Sequence, residues 1–178
     1  MTTETLSSRL ANITLPDTDG REVLLGSLWA TSPTVLVFLR HYGCIFCREH
    51  VAQLREHEQE FRQRGANLAA IGLGDLNYAR IFREDTGITF PLLVDAGRIA
   101  YRAVELRKTT FFGLFTRENF GARSRARAAG HHQHKLGKDP FQLGASFVFA
   151  QGNKDLFVHL SAYTGDNAPV SSLFAALP

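Results

Sequence analysis

Two cysteines are too few for a disulfide-stapled scaffold, and too few for a four-thiolate zinc or iron–sulfur site. Charge of one sign is also scarce. The 20 Lys and Arg stand against 17 Asp and Glu, a net charge of +3, and so small an excess does not by itself mark a nucleic-acid binder. Long apolar runs are missing as well: the most apolar stretch, Thr-Val-Leu-Val-Phe-Leu (34–39), is far too short to cross a bilayer. The opening MTTETLSSRL has no basic start followed by an apolar run, so no targeting segment is expected and the expected compartment is the cytoplasm.

Core-forming residues are plentiful. Fourteen Phe and alternating aliphatic runs exclude a disordered chain. The 178 residues suit one domain over 1–178, burying roughly 70% of the surface that the unfolded chain would expose.

Along the chain the hydrophobic period changes repeatedly. Segments 12–15 and 22–25 flank Asp-Thr-Asp-Gly (17–20) and read as a hairpin. Segment 34–39 is β-branched and continuously apolar, as a central strand covered on both faces would be. From 44 to 64 the period is helical, with Val51, Leu54, Glu58 and Phe61 on one face and Gly65 as the stop. A strand over 67–73, a helix over 77–86 ending at Gly87 and a strand over 90–94 follow. Asp95 is placed to cap a short helix over 97–104. Strands over 146–150 and 155–160 share a tight turn, and 169–177 closes the chain as a helix. This order predicts an α/β fold with a mixed central sheet flanked by helices. About forty residues, 105–144, hold no clear strand and form a long insertion, helical over 117–129, of the kind that serves as a lid or a mobile segment.

Chemistry concentrates in Gly43-Cys44-Ile45-Phe46-Cys47, where the buried strand gives way to a helix. Two cysteines this far apart on a first helical turn can close a disulfide with little backbone movement. At the helix N-terminus, free N–H groups and the dipole stabilise a Cys44 thiolate, and Arg40, His41 and Arg48 lie near in sequence to add positive charge. A lowered thiol pKa raises the nucleophile fraction that peroxide reduction and thiol–disulfide exchange both require. Cys47, one turn further on, suits the resolving role. The competing reading is two inert core thiols. Half a zinc site is disfavoured because the second CxxC is missing.

Phe38-Leu-Arg-His-Tyr-Gly-Cys-Ile-Phe-Cys-Arg-Glu-His50 resembles the active-site stretch of peroxiredoxin-like proteins in the AhpC/TSA superfamily. Gln142-Leu-Gly-Ala-Ser-Phe-Val-Phe149 resembles the segment that those proteins place opposite the active site. The resemblance implies a thioredoxin-like fold, a peroxidatic or redox cysteine at Cys44 and a resolving Cys47. Ser146 then comes near the thiol, and chains of this kind pair through sheet edges or helices into a homodimer. Val37 and His41 stand where typical peroxiredoxins have Pro and Thr. Gly43 and Ala145 stand where thioredoxins have Trp and the cis-proline.

The sequence therefore points to a thiol-dependent oxidoreductase. Cys44 would reduce a hydroperoxide, Cys47 would close the disulfide and an external thiol would reset the pair, with no cofactor, metal, nucleic acid or membrane. Arg40, His41, Gly43 and Ser146 are the candidate substrate-binding residues, although Arg40 and His41 also read as a solvated strand end. His50 and His57 read as solvated helix residues. Three alternatives stay open. One is a disulfide reductase using the same pair, another a thiol switch, and the third a redox-inert module binding through the insertion. The insertion carries a basic tract, Arg117, Arg123, Arg125, Arg127, Lys135 and Lys138, that reads chiefly as a solvated face. The phenylalanines Phe111, Phe112, Phe115 and Phe120 would roof the active site, make a subunit contact or fill core. His131-His132-Gln133-His134 lacks a carboxylate or thiolate partner and reads as adventitious for metals.

Overall fold

The computed structural model describes residues 4–111, 114, 116–132 and 139–178. Phe112, Phe115, Gln133, His134, Lys135 and Lys138 lie outside the described residues. Helix α1 (Leu6–Ala11) precedes the expected hairpin, β1 (Thr14–Pro16) with β2 (Glu22–Leu24). The central sheet holds β3 (Thr34–Phe38), β4 (Asn67–Gly72), β5 (Leu92–Val94), β6 (Ala145–Ala150) and β7 (Lys154–Leu160), in the order β5-β4-β3-β6-β7. β3, β4 and β5 run parallel, while β6 and β7 are antiparallel additions.

The sheet is covered on both faces around its central strand, as the unbroken apolar β3 requires, while the edge strand β7 stays partly exposed. Val35 and Val37 point into a core shared with α2 (Ile45–Glu56), α3 (Glu58–Gln63), α4 (Leu76–Thr86), α6 (Arg117–Ala128) and α7 (Val170–Ala175). Leu36 and Phe38 point into a second core with Trp29, Leu10 of α1 and Tyr101 of α5 (Ile99–Ala103). β3 therefore sits between two cores, and the segment leaving its C-terminal end is held on both sides. Among the described residues no helix is long and apolar enough to cross a membrane.

Local signals explain most boundaries. Asp75 caps α4, accepting from the Tyr78 N–H at 2.8 Å, and Gly87 ends that helix at φ +63°. The Asp95 carboxylate accepts from the N–H groups of Ile99, Ala100 and Tyr101. Two features depart from expectation. The helix expected over 44–64 is two helices that meet at His57, whose Nδ1 lies 2.9 Å from the Gln53 carbonyl and whose ring packs against Phe174. The break lets Phe61 stack on Phe174 at 4.1 Å. Helix α1, which the polar opening did not suggest, is anchored from across the sequence. Asp155 of β7 accepts from Leu6 N at 2.7 Å and from Ser7 N at 3.0 Å.

The insertion has a stem and a helix. Thr109 N donates to Phe141 O at 2.8 Å and Leu143 N to Arg107 O at 3.1 Å, so its two ends pair with each other. Asp139 braces the stem through ion pairs with Arg98 and Lys108. Between the ends, α6 packs on α2. Ala122 and Ala126 are buried, and Arg125 holds the buried Glu49 carboxylate at 3.0 and 3.3 Å. One tract arginine thus fastens the insertion to the helix that carries the cysteines.

Tyr42 in the β3–α2 turn is buried against Gly72 and Gly74, with Tyr78 and Phe82 around its ring. A Cβ on Gly72 would lie 2.3 Å from the ring carbon Cε1. Gly72→Ala should therefore cost about 1–3 kcal/mol of stability and displace the cysteine-bearing turn, read as a lower urea midpoint together with slower thiol modification.

Candidate active site

Cys44 is the N-cap residue of α2, and its N–H donates to the His41 carbonyl at 3.1 Å, closing the turn that includes the buried Gly43. Both thiols are free, with Cys44 1% and Cys47 4% exposed. Helical spacing sets Cys47 in the first turn of α2, where its thiol can donate to the Cys44 sulfur.

Arg40 organises the site. Its Nη1 donates to Cys44 Sγ at 3.2 Å, its Nε to the Gln142 carbonyl at 2.8 Å and its Nη2 to the Pro140 carbonyl. Its backbone N–H donates to Cys47 Sγ at 3.2 Å. A buried guanidinium with two neutral acceptors and one ionisable neighbour favours the ionised form of that neighbour. Burial alone would push the Cys44 thiol up, but the Cys47 S–H donor and the Arg40 charge outweigh it and hold Cys44 well below the usual thiol range. Cys47 is moved the other way, by its own burial and by the thiolate beside it. The structure thus divides the pair into a nucleophile and a protonated partner.

His41 is buried too, and burial keeps its pKa below 6.5. At neutral pH the imidazole is mostly uncharged, so the thiolate is countered by Arg40. Arg48, the third basic group near the cysteines in sequence, is turned away to Asp85 at 3.1 Å and over the Phe82 ring. His41 and Arg40 line a cleft of about 170 Å³ with Ile45 and Phe46 of α2, and with Leu114, Asn119, Phe120 and Arg123 of the insertion. Phe120 therefore borders this cleft, although it is as exposed as Phe111.

Ser146 lies opposite Val37 in the sheet and lines a different space, a cavity of about 10 Å³ shared with Cys47 and His50. Its placement is thus on the Cys47 side of the pair. His50 corrects the expectation of a solvated residue. It is 3% exposed, neither ring nitrogen has a hydrogen-bond partner among the described residues, and burial pushes its pKa down to about 4. Glu49 and the carbonyls of Pro140 and Gln142 also escaped sequence reading. Glu49 resembled any other helix carboxylate, and backbone carbonyls leave no mark in the residue type. Among the described residues no three His, Cys, Asp or Glu side chains gather as metal ligands.

A family model described as AhpC/TSA antioxidant enzyme matches residues 53–162, starting just beyond the cysteines. Peroxiredoxin-like 2C of Bos taurus is 28% identical over 94% of this chain and 78% of its own length. Prostamide/prostaglandin F synthase of Salmo salar is 26% identical over 92% of this chain and 83% of its own. The solved structure of peroxidoxin BcpB from Mycobacterium tuberculosis superposes with a TM-score of 0.69 at 22% identity, covering 93% of this chain and 90% of that one. The mixed sheet and its flanking helices are thus those of a thioredoxin-like peroxiredoxin fold.

Arg40→Gln should raise the midpoint of the Cys44 thiolate absorbance toward the ordinary value of about 8.5, because the Cys47 hydrogen bond is then left to oppose burial without the guanidinium. Each unit of rise removes about ten-fold of the thiolate at neutral pH. An ultraviolet titration of the reduced variant beside wild type measures it.

Proposed function

The chain belongs to the AhpC/TSA antioxidant enzyme family, and on that premise we propose that it reduces hydroperoxides through Cys44, with Cys47 closing an intramolecular disulfide. The observation that carries this reading is the Arg40 guanidinium set 3.2 Å from Cys44 Sγ at a helix N-terminus. The Cys44 thiolate attacks the terminal peroxide oxygen. The S–O bond forms as the O–O bond breaks, and the departing alkoxide takes a proton from water to leave as an alcohol. Sulfur is oxidised to the sulfenic acid while the peroxide is reduced. The Cys47 sulfur then attacks the sulfenic sulfur, expelling the hydroxyl group as water and joining the pair. An external dithiol reduces the disulfide by exchange.

The cleft beside Arg40 and His41 suits an organic hydroperoxide, since Ile45, Phe46, Leu114, Phe120 and Pro140 offer apolar contact to an alkyl group. Leu114, Pro140 and residues of α6 line one side of that cleft, and the Arg125–Glu49 pair keeps α6 on α2. A second reading keeps the same nucleophile and uses a disulfide as substrate, and it is supported by the position of both thiols on the first turn of one helix.

Cys44→Ser should abolish consumption of both hydrogen peroxide and cumene hydroperoxide. Cys47→Ser should allow one turnover and accumulate a sulfenic acid that dimedone traps, as mass spectrometry would show. Wild-type protein that reduces insulin disulfides while leaving both peroxides untouched would replace the peroxidase reading with the exchange reading.

A further inference from the structure

Cys47 has a proton-transfer problem that Arg40 does not solve. Its sulfur is buried and held protonated, yet it must shed its proton to attack and regain one when reduction releases it. The nearest charged groups on its helix are committed, Glu49 to Arg125 and Arg48 to Asp85. His50 is not. It follows Cys47 by one helical turn on the same face, it is buried with neither nitrogen bonded among the described residues, and it lines the same cavity of about 10 Å³. That cavity is about the size that one water molecule needs.

Of the other polar groups lining this space, Ser146 adds a hydroxyl, Arg40 is held by Cys44, Pro140 and Gln142, and three more are bonded elsewhere. Ser161 Oγ donates to Asp166 O at 2.7 Å, Thr164 Oγ1 to Asn119 Oδ1, and Asn167 Nδ2 to Phe46 O at 3.1 Å. Beyond His50 the route continues outward. His159 of β7 sits opposite Ser146 in the sheet, and Ser146 lines the cavity with His50. Its Nε2 is 3.2 Å from Asp166 Oδ1, and its side chain is 25% exposed.

We propose that His50 is a proton-relay residue for Cys47, passing the thiol proton through their shared cavity and onward by His159 and Asp166 to solvent. The inference rests on the resolving role proposed for Cys47. In the closing step the Cys47 S–H proton moves to the free nitrogen of neutral His50 as the sulfur attacks Cys44. The S–S bond forms and the bond from Cys44 to its leaving group breaks. The leaving group departs with the electron pair, and His50 hands its proton on. Reduction runs the relay inward, reprotonating the Cys47 thiolate as exchange releases it. Being neutral, the imidazole carries one acceptor and one donor nitrogen and transfers a proton without storing it.

The test uses dithiobis-nitrobenzoate, so it needs no peroxidase activity. In the reduced full-length protein, Cys44 attack releases a first coloured thiolate, and Cys47 closure releases a second. His50→Gln should leave the first phase within about two-fold and slow the second by about ten-fold or more, with a melting curve confirming the fold. Heavy water should slow the second phase of wild type and spare the first. His159→Gln, at a partly exposed site, should slow closure as well and decides the matter if His50→Gln does not fold. Closure at the wild-type rate in a folded His50→Gln, or in His159→Gln where it stands in, overturns the relay. A protein that shows both phases yet ignores peroxides overturns the peroxidase reading and leaves the relay standing.

Discussion

A buried guanidinium governs this site. Removing a cation from water costs several kcal/mol unless opposite charge and hydrogen bonds offset the loss, and Arg40 is only 7% exposed. Its partners are two carbonyls from the stem of the insertion and the sulfur of Cys44. The same low-polarity surroundings that penalise an isolated thiolate penalise an isolated guanidinium, and bringing the two together relieves both. The insertion is therefore part of the site: without its stem, two of the three acceptors on Arg40 are gone.

The pair then separates by role. Both thiols are buried; at Cys44 the Cys47 donor and the Arg40 charge outweigh that burial, whereas at Cys47 burial and the neighbouring negative charge act in the same direction. One thiol is ionised because the other is not, which suits a reaction needing first a nucleophile and then a protonated partner. The rigid surroundings keep this asymmetry in place. Tyr42 is wedged against Gly72 and Gly74, and the α6 helix is pinned through Arg125 and Glu49.

Much of this was legible in the sequence because it rests on local rules. The apolar run of β3, the cysteine spacing at the start of α2, the Gly87 stop and the Asp95 cap each follow from residue type and neighbours. What was not legible depends on residues far away in the chain. His50 has the spacing of a solvated helix position, and β6 and the loop over 161–167, far away in the chain, come to line the space beside it. Arg40 could have ended its strand in solvent, had the carbonyls of Pro140 and Gln142 not been brought to it by the stem. Helix α1 needed Asp155 at its N-terminus, and the break at His57 needed Phe174. Arg48, close to the cysteines in sequence, was drawn off by Asp85, a partner that sequence proximity does not reveal.

The buried constellation makes Cys44 the thiolate and leaves Cys47 protonated. A carbon NMR titration of the two cysteine Cβ resonances in the reduced protein tests this directly, because it resolves each thiol without requiring a reagent to reach it. Cys44 should titrate well below the ordinary thiol value of about 8.5, and Cys47 should stay protonated well above it. Two thiols titrating together near that ordinary value, or Cys47 ionising before Cys44, would contradict the account.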